Sequence, residues 1–174
     1  MTMKRILIIG SSGAGKTTLA NRLGETSGVE VIHLDKLHWQ PNWTEPSKEE
    51  WRKITADALR GNSWIMDGNY GSTMEMRLAA CDTVILLDLP HLLCVYRIIK
   101  RWLVYRKATR PDMAADCDEQ FDWKFIKYVW DFPKNNIPKI EKLLQLFQDS
   151  KTIIRLKSTK EVDRFLVNYS KKSC

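Results

Sequence analysis

Residues 10–17, which read G-S-S-G-A-G-K-T, constrain this chain more than any other segment. They match the pattern G-x-x-x-x-G-K-[S/T] in full, and an apolar, β-branched run at 4–9 comes directly before them. Glycines at these spacings allow the backbone to curl. Successive N–H groups and the positive end of the following helix can then point at one anion. The segment therefore predicts a phosphate-binding loop between a buried strand and a helix.

The same pattern predicts roles for individual residues. Lys16 is expected to contact the β- and γ-phosphates of a nucleoside triphosphate, and the Thr17 hydroxyl is expected to bind Mg²⁺. The residues expected to bind nucleotide are Gly10, Ser11, Ser12, Gly13, Ala14, Gly15, Lys16, Thr17 and Thr18.

Strand-like and helix-like patterns alternate along the whole chain, 1–174, without an internal repeat or an obvious linker. Apolar runs predict five strands, at 4–9, 29–34, 64–66, 83–87 and 151–156. Periodicity, caps and breakers predict helices at 16–24, 47–60, 72–80, 90–105, 121–132, 138–148 and 159–169. Ser47 and Glu50 have the spacing of a capping box at the start of the second of these. Pro133 is expected to end the fifth, and Thr159 to cap the last. The alternation predicts one three-layer α/β domain whose ligands bind beyond the carboxyl ends of parallel strands.

Two aspartates are expected at such strand ends. Asp67 follows the third strand, where it would hold Mg²⁺ with Thr17 or orient the acceptor, or else cap a turn. Asp35 follows the second strand and is expected to hydrogen-bond the group being phosphorylated or accept its proton; loop capping is the alternative. We interpret His33 as packed or solvent-facing, and Asp88 as structural.

Basic residues are concentrated just before a polar segment at about 106–120. Arg97 and Arg101 lie four residues apart and therefore share a helix face, and Arg106 follows at the edge of the polar segment. Arginines that close over a transferred phosphoryl group stabilise its charge. Arg101 and Arg106 are therefore predicted to be catalytic, Arg97 to bind substrate, and 106–120 to form a lid. A solvated basic face is the alternative.

Seven tryptophans are present, and four of them raise a question about the acceptor. Trp39 and Trp43 flank the loop on the acceptor side, while Trp123 and Trp130 lie seven residues apart on one predicted helix. Ordinary packing explains such residues. The sharper interpretation is an aromatic wall around a planar or apolar acceptor.

The overall composition limits the other classes of function. A net charge of +7 suits a polyanionic ligand, but no helix-turn-helix, zinc-finger or oligonucleotide-binding pattern is present. The four cysteines lack C-x-x-C spacing, and no apolar run approaches the roughly 20 residues of a membrane span. The first residues leave no room for a cleavable signal peptide, so a cytoplasmic location is expected.

Taken together, these motifs resemble the adenylate kinase-like superfamily of nucleoside monophosphate kinases. Within it, the segments HLDKLHW at 33–39 and DGNYG at 67–71, with the helix that carries Arg97 and Arg101, resemble the family of DNA topology modulation proteins (FlaR-related). The resemblance implies a strand order of 2-3-1-4-5, ATP and Mg²⁺ as ligands, an acceptor between Asp35 and an arginine-bearing lid, and adenine near 157–160. Adenylate kinases read D-G-F-P-R where this chain reads DGNYG, so Arg77 or a lid arginine would have to bind an acceptor phosphate.

Two functional hypotheses follow. The leading one is a small kinase that transfers a phosphoryl group from ATP to an unidentified small-molecule acceptor. The alternative is a nucleotide-dependent regulator of DNA topology with slow ATP hydrolysis. A GTPase switch is disfavoured because the chain has no N-K-x-D motif.

Overall fold

The computed structural model of the chain describes residues 3–106 and 121–173. Within these residues, five strands form one parallel sheet in the order β2-β3-β1-β4-β5. The strands are β1 (Arg5–Gly10), β2 (Val31–His33), β3 (Trp64–Asp67), β4 (Thr83–Leu87) and β5 (Thr152–Leu156). The three central strands are buried on both faces, which explains why they are almost continuously apolar.

Helices cover both faces of the sheet. They are α1 (Lys16–Ser27), α2 (Leu34–His38), α3 (Lys48–Ala58), α4 (Gly71–Ala80), α5 (His91–Val104), α6 (Trp123–Asn135), α7 (Ile137–Gln145) and α8 (Thr159–Ser173). Ile6 and Ile8 point into a core formed with α1, α5 and α8, while Leu7 and Ile9 point into a second core formed with α3, α4 and α7. The predicted α/β class, its three layers and the strand order are therefore confirmed.

Two helices, α1 and α6, continue past the residue at which the sequence predicts that they stop. Helix α1 continues past Gly24 to a left-handed cap at Gly28, because Gly24 is used for close packing: a Cβ there would lie 2.4 Å from the Val31 side chain. Pro133 does not end α6, which continues to Asn135, because buried Val129 and Phe132 hold its last turns on the core.

The cap of α8 and the position of Asp35 also need correction. Ser158, rather than Thr159, caps α8, since its hydroxyl accepts a hydrogen bond from the Glu161 N–H at 3.2 Å. Asp35 does not follow a strand directly. Strand β2 ends at His33, and Asp35 lies in the first turn of α2. The predicted lid, apart from Arg106, falls outside the described residues.

Helix α3 begins with the capping box expected from the sequence. The Glu50 N–H donates to Ser47 Oγ at 3.2 Å, and the Ser47 N–H donates to Glu50 Oε2 at 2.9 Å. Together these bonds satisfy two N–H groups that the helix itself leaves without a partner.

We expect Ser47→Ala to lower the free energy of unfolding by about 1 kcal/mol, because one end of this box is lost. Ser47→Asp, which keeps a side-chain acceptor, should retain most of the stability. Urea unfolding followed by circular dichroism measures both, and equal losses in the two variants would show that the cap does not hold α3.

Candidate active site

The loop between β1 and α1 adopts a conformation that only glycine permits at several points. Gly10 and Gly13 have φ values of 142° and 80°. A Cβ on Gly10 would lie 2.3 Å from the Leu87 carbonyl oxygen, and one on Gly13 would lie 2.4 Å from the Cys94 carbonyl oxygen. The neighbouring backbone therefore leaves no room for a side chain, and the N-terminus of α1 opens directly onto the loop.

Lys16 lies folded over this loop. Its Nζ donates to the carbonyl oxygens of Gly10 at 3.0 Å and Ser11 at 3.1 Å. Burial lowers the pKa of Lys16 from its usual value, and the nearby carboxylates of Asp35 and Asp67 oppose that effect. A buried ammonium group beside a ring of backbone N–H groups suits a polyphosphate chain.

The two residues predicted to hold a metal ion are in direct contact. Thr17 Oγ1 donates to Asp67 Oδ2 at 2.9 Å, at the foot of the phosphate loop. A hydroxyl and a carboxylate are the oxygen donors that Mg²⁺ prefers, and Mg²⁺ usually completes its shell with water and substrate phosphates. The pair therefore fits Mg²⁺ bound together with a nucleotide. Among the described residues, no cluster of three or more His, Cys, Asp or Glu side chains is placed to hold a metal.

His33 has a more specific position than its sequence interpretation gave it. Its Nδ1 lies 2.6 Å from Asp67 Oδ1, and its Nε2 lies 3.1 Å from the side-chain oxygen of Asn21. The parallel register places His33 opposite Asp67, so both side chains leave the same edge of the sheet. The predicted strand order makes β2 and β3 neighbours. It could therefore have revealed this contact, because the ends of neighbouring parallel strands lie side by side.

Asp35, the predicted acceptor-side carboxylate, is held by an aromatic residue that sequence reasoning did not select. The Tyr70 hydroxyl donates to Asp35 Oδ1 at 2.7 Å. Burial and the Asp35 charge raise the pKa of Tyr70 well above its usual value, so the hydroxyl stays protonated and remains a donor. The Trp39 indole N–H in turn faces the Tyr70 hydroxyl.

The loop after β3 is attached to the phosphate loop and to a buried arginine. Asn69 bonds both backbone groups of Gly10, accepting from its N–H at 3.1 Å and donating to its carbonyl at 2.8 Å. The fully buried guanidinium of Arg77 donates to the carbonyl oxygens of Gly68, Asn69 and Tyr70. Arg77 is therefore committed to backbone and is unsuited to bind an acceptor phosphate.

The three predicted arginines lie in different places. Arg97 lies against the phosphate loop, with its guanidinium 3.3 Å from the Ala14 carbonyl oxygen and 3.4 Å from Thr159 Oγ1. Arg101 lines a cavity of about 670 Å³ together with Lys16, whereas Arg106 is exposed and lies over the Trp102 ring at 5.7 Å. Arg97, predicted to bind substrate, thus lies beside the phosphate loop and Thr159.

Two cavities adjoin the phosphate loop in the described part of the chain, and they share no lining residue. The larger, about 670 Å³, has Ser12 and Lys16 in its wall together with Asp35. Its remaining lining residues are Trp39, Trp43, Gly68, Asn69, Tyr70, Gly71, Met74, Arg101, Asp122, Phe125, Tyr128, Phe132, Asn136, Lys139, Ile140 and Leu143. The volume falls in the range of small-molecule sites.

The smaller cavity, about 260 Å³, lies beside Gly15 and Thr18, with Arg97 and Thr159 in its wall. This is where the resemblance implied adenine, near 157–160.

Of the four tryptophans considered from sequence, Trp39 and Trp43 line the larger cavity. Trp123 and Trp130 do not, and they expose 72% and 50% of their surface.

The chain has the fold of the P-loop kinases. A shikimate kinase structure from Acinetobacter baumannii, solved in complex with shikimate, aligns with a TM-score of 0.61 at 18% identity, covering 96% of this chain and 90% of that one. A shikimate kinase structure from Bacteroides thetaiotaomicron aligns with a TM-score of 0.53 at 14% identity, covering 98% of both chains. These likenesses establish the fold alone.

Sequence comparison adds nothing to this assignment. No protein-family model matches the chain, and no curated protein matches it either. The resemblance to DNA topology modulation proteins is therefore not confirmed. In the described residues, no helix combines the length and apolarity needed to cross a bilayer.

Arg77→Met should destabilise the protein by about 3 kcal/mol or more, because three carbonyl groups lose a charged donor in a buried site. Burial lowers the pKa of Arg77 to about 10, so the guanidinium is still ionised at neutral pH and its hydrogen bonds are charge-assisted. Urea unfolding measures the loss.

The matched control is Arg60→Met, since Arg60 is largely exposed and its recorded ion pair is with Asp57, at 3.0 Å. That variant should lose less than about 1 kcal/mol. Similar losses at the two positions would show that Arg77 does not anchor the loop after β3.

Proposed function

We propose that this protein is a kinase that transfers the γ-phosphoryl group of ATP, with Mg²⁺, to a hydroxyl group of a small molecule. One observation carries the proposal: Lys16 of the phosphate loop and the carboxylate Asp35 line the same cavity of about 670 Å³. A protein that only hydrolyses ATP needs no cavity of this size beside the phosphates. The P-loop kinase fold supports the same conclusion.

The residues take distinct roles in this proposal. The phosphate loop and Lys16 bind the triphosphate, and Arg101, in the same cavity wall, stabilises charge on the transferred group. Thr17 and Asp67 hold Mg²⁺, which when bound offsets charge on the phosphate oxygens. His33 fixes the orientation of Asp67 through the contact at 2.6 Å. Arg97 and Thr159 belong to the nucleotide side, beside the smaller cavity.

Asp35 acts on the acceptor. The acceptor oxygen forms a bond to the γ-phosphorus while the bond from that phosphorus to the bridging oxygen of ADP breaks. ADP leaves with the electron pair, and the hydroxyl proton passes to the Asp35 carboxylate. Tyr70 holds that carboxylate in place through Oδ1. Arg106 and the lid at about 106–120 remain predictions within this scheme, as do one domain over 1–174 and a cytoplasmic location.

Regulation of DNA topology is not favoured as the function. The described residues supply a cavity suited to a small molecule, and the sequence shows no nucleic-acid-binding motif. Purified protein with ATP and Mg²⁺ should therefore phosphorylate a member of a panel of small alcohols and nucleosides. ATP hydrolysis that is stimulated by DNA, without transfer to any alcohol, would instead support the regulator.

We expect Lys16→Ala to lower the rate of transfer by roughly 10²–10³-fold or more, because a preorganised positive charge at the phosphates is lost. Lys36→Ala, which alters an exposed lysine of α2, is the matched control and should keep its rate. Both variants should give the circular dichroism spectrum of the parent. Unchanged turnover in Lys16→Ala would count against the whole assignment.

Asp35→Asn should lower kcat by roughly 10²–10⁴-fold with a smaller change in KM, since the amide keeps an acceptor for Tyr70 but cannot take the proton. Steady-state kinetics with the identified acceptor measures the split. A kcat close to that of the parent would remove Asp35 from the reaction.

A further inference from the structure

The acceptor side of the larger cavity carries two indole rings at nearly right angles. Trp39 and Trp43 have ring centroids 5.1 Å apart and an interplanar angle of 72°. Both rings line the cavity, and we call this pair the indole corner. Two aromatic faces that meet in this way can enclose a rounded group from two sides.

The backbone of the indole corner is strained. Trp43 and the preceding Asn42 have φ values of 58° and 61°, a left-handed conformation that residues with side chains rarely adopt. A hydrogen bond of 2.9 Å from the Gln40 N–H to the Thr44 carbonyl closes the turn that contains them. Such strain tends to persist at binding sites, where a side chain must be aimed in one direction. Here the strained turn brings Trp43 against Trp39.

Carboxylates lie next to the indole corner. Trp39 directly follows α2 and its N–H donates to the Asp35 carbonyl at 3.1 Å, and both residues line the larger cavity. Glu45 is exposed and does not line the cavity, but its charge helps to raise the pKa of Tyr70 and opposes the lowering of the His38 pKa, so it adds negative potential near these rings. The corner thus combines aromatic faces with negative charge.

Among the described residues, the rest of the acceptor side offers no excess of positive charge for an anionic group. Arg77 is committed to three backbone carbonyls and is fully buried. The wall formed by α6 and α7 contributes one charge of each sign, Asp122 and Lys139, and the Lys139 side chain is exposed. Lys16 and Arg101 also line this cavity, and the proposed function assigns them to the triphosphate and the transferred phosphoryl group.

We propose that the acceptor is an alcohol that carries a cationic nitrogen, with its hydroxyl at Asp35 and its nitrogen in the indole corner. This inference rests on the proposed kinase function and names the substrate class for that site. Aromatic faces attract ammonium groups through the ring quadrupole, and quaternary ammonium groups are bound in this way. The Asp35 and Glu45 carboxylates add attraction of the same sign. Phosphoryl transfer follows the bond changes given above, so the product is the phosphate monoester of the cationic alcohol, with ADP.

The test uses pairs of alcohols that have the same shape and differ only in charge. Choline is compared with 3,3-dimethylbutan-1-ol, and benzyl(2-hydroxyethyl)dimethylammonium with 3,3-dimethyl-4-phenylbutan-1-ol. Transfer from ATP is followed by ³¹P NMR and by ADP release. Binding is measured independently by calorimetry in the presence of a non-hydrolysable ATP analogue and Mg²⁺. In at least one pair, the cation should be preferred roughly tenfold or more, in both kcat/KM and affinity.

Substitutions test which residues produce the preference for the cationic alcohol. Trp43→Leu should reduce the preference for the cation to about threefold or less, whereas Trp43→Phe, which keeps an aromatic face, should retain most of it. Glu45→Gln should weaken cation binding and leave binding of the neutral alcohol unchanged. Trp123→Leu, an exposed tryptophan outside the cavity, is the matched control and should behave as the parent.

The outcomes distinguish failure of the cationic acceptor from failure of the proposed kinase function. Equal or better use of the neutral alcohols, or a preference that survives Trp43→Leu, would overturn the cationic acceptor while leaving the kinase in place. Preferential use of an acceptor with an acidic group would do the same. Cation binding that depends on Trp43, without transfer to any alcohol, would uphold the recognition and overturn the kinase. If no member of either pair binds, the inference is overturned.

Discussion

The parallel pairing of β1 with β3 fixes where the two halves of the site meet. Its register brings Ile8 opposite Asp67, so the loops that follow the two strands leave the sheet side by side. Asn69 then bonds both the N–H and the carbonyl of Gly10. Because the amide bonds both backbone groups of one glycine, these two bonds connect the loop that carries Tyr70 to the phosphate loop. The position of Asp35 depends on this connection between the two loops, because the Tyr70 hydroxyl donates to the Asp35 carboxylate.

The burial of Arg77 beside the loop after β3 needs a physical explanation, since removing a guanidinium group from water is unfavourable. Its donors meet three successive carbonyl oxygens, at Gly68, Asn69 and Tyr70, and the Thr73 hydroxyl accepts a further bond at 3.3 Å. Three carbonyls that converge on one point would repel each other without a cation between them. The arginine therefore makes possible a loop shape that includes the unusual φ of 27° at Tyr70.

Much of the fold was predictable from sequence because its signals are local or strictly periodic. The phosphate motif, the five apolar strands and the capping box at Ser47 each depend on neighbouring residues, and all were found. What failed depends on tertiary contacts. Gly24 resembles a helix terminator until its contact with Val31 is known, and Pro133 resembles a breaker until the packing of its helix on the core is known. The pairing of distant residues was likewise beyond local pattern, as in the contacts of His33 with Asp67 and of Tyr70 with Asp35.

The contact between Gly13 and α5 has a mechanical consequence. The Cys94 carbonyl occupies the space where any side chain on Gly13 would lie, and one helical turn later the Arg97 guanidinium touches the loop again, at Ala14. Helix α5 and the phosphate loop are therefore in direct contact at these two points. A displacement of α5 would therefore displace the phosphate loop as well, because the two elements are in contact at both points.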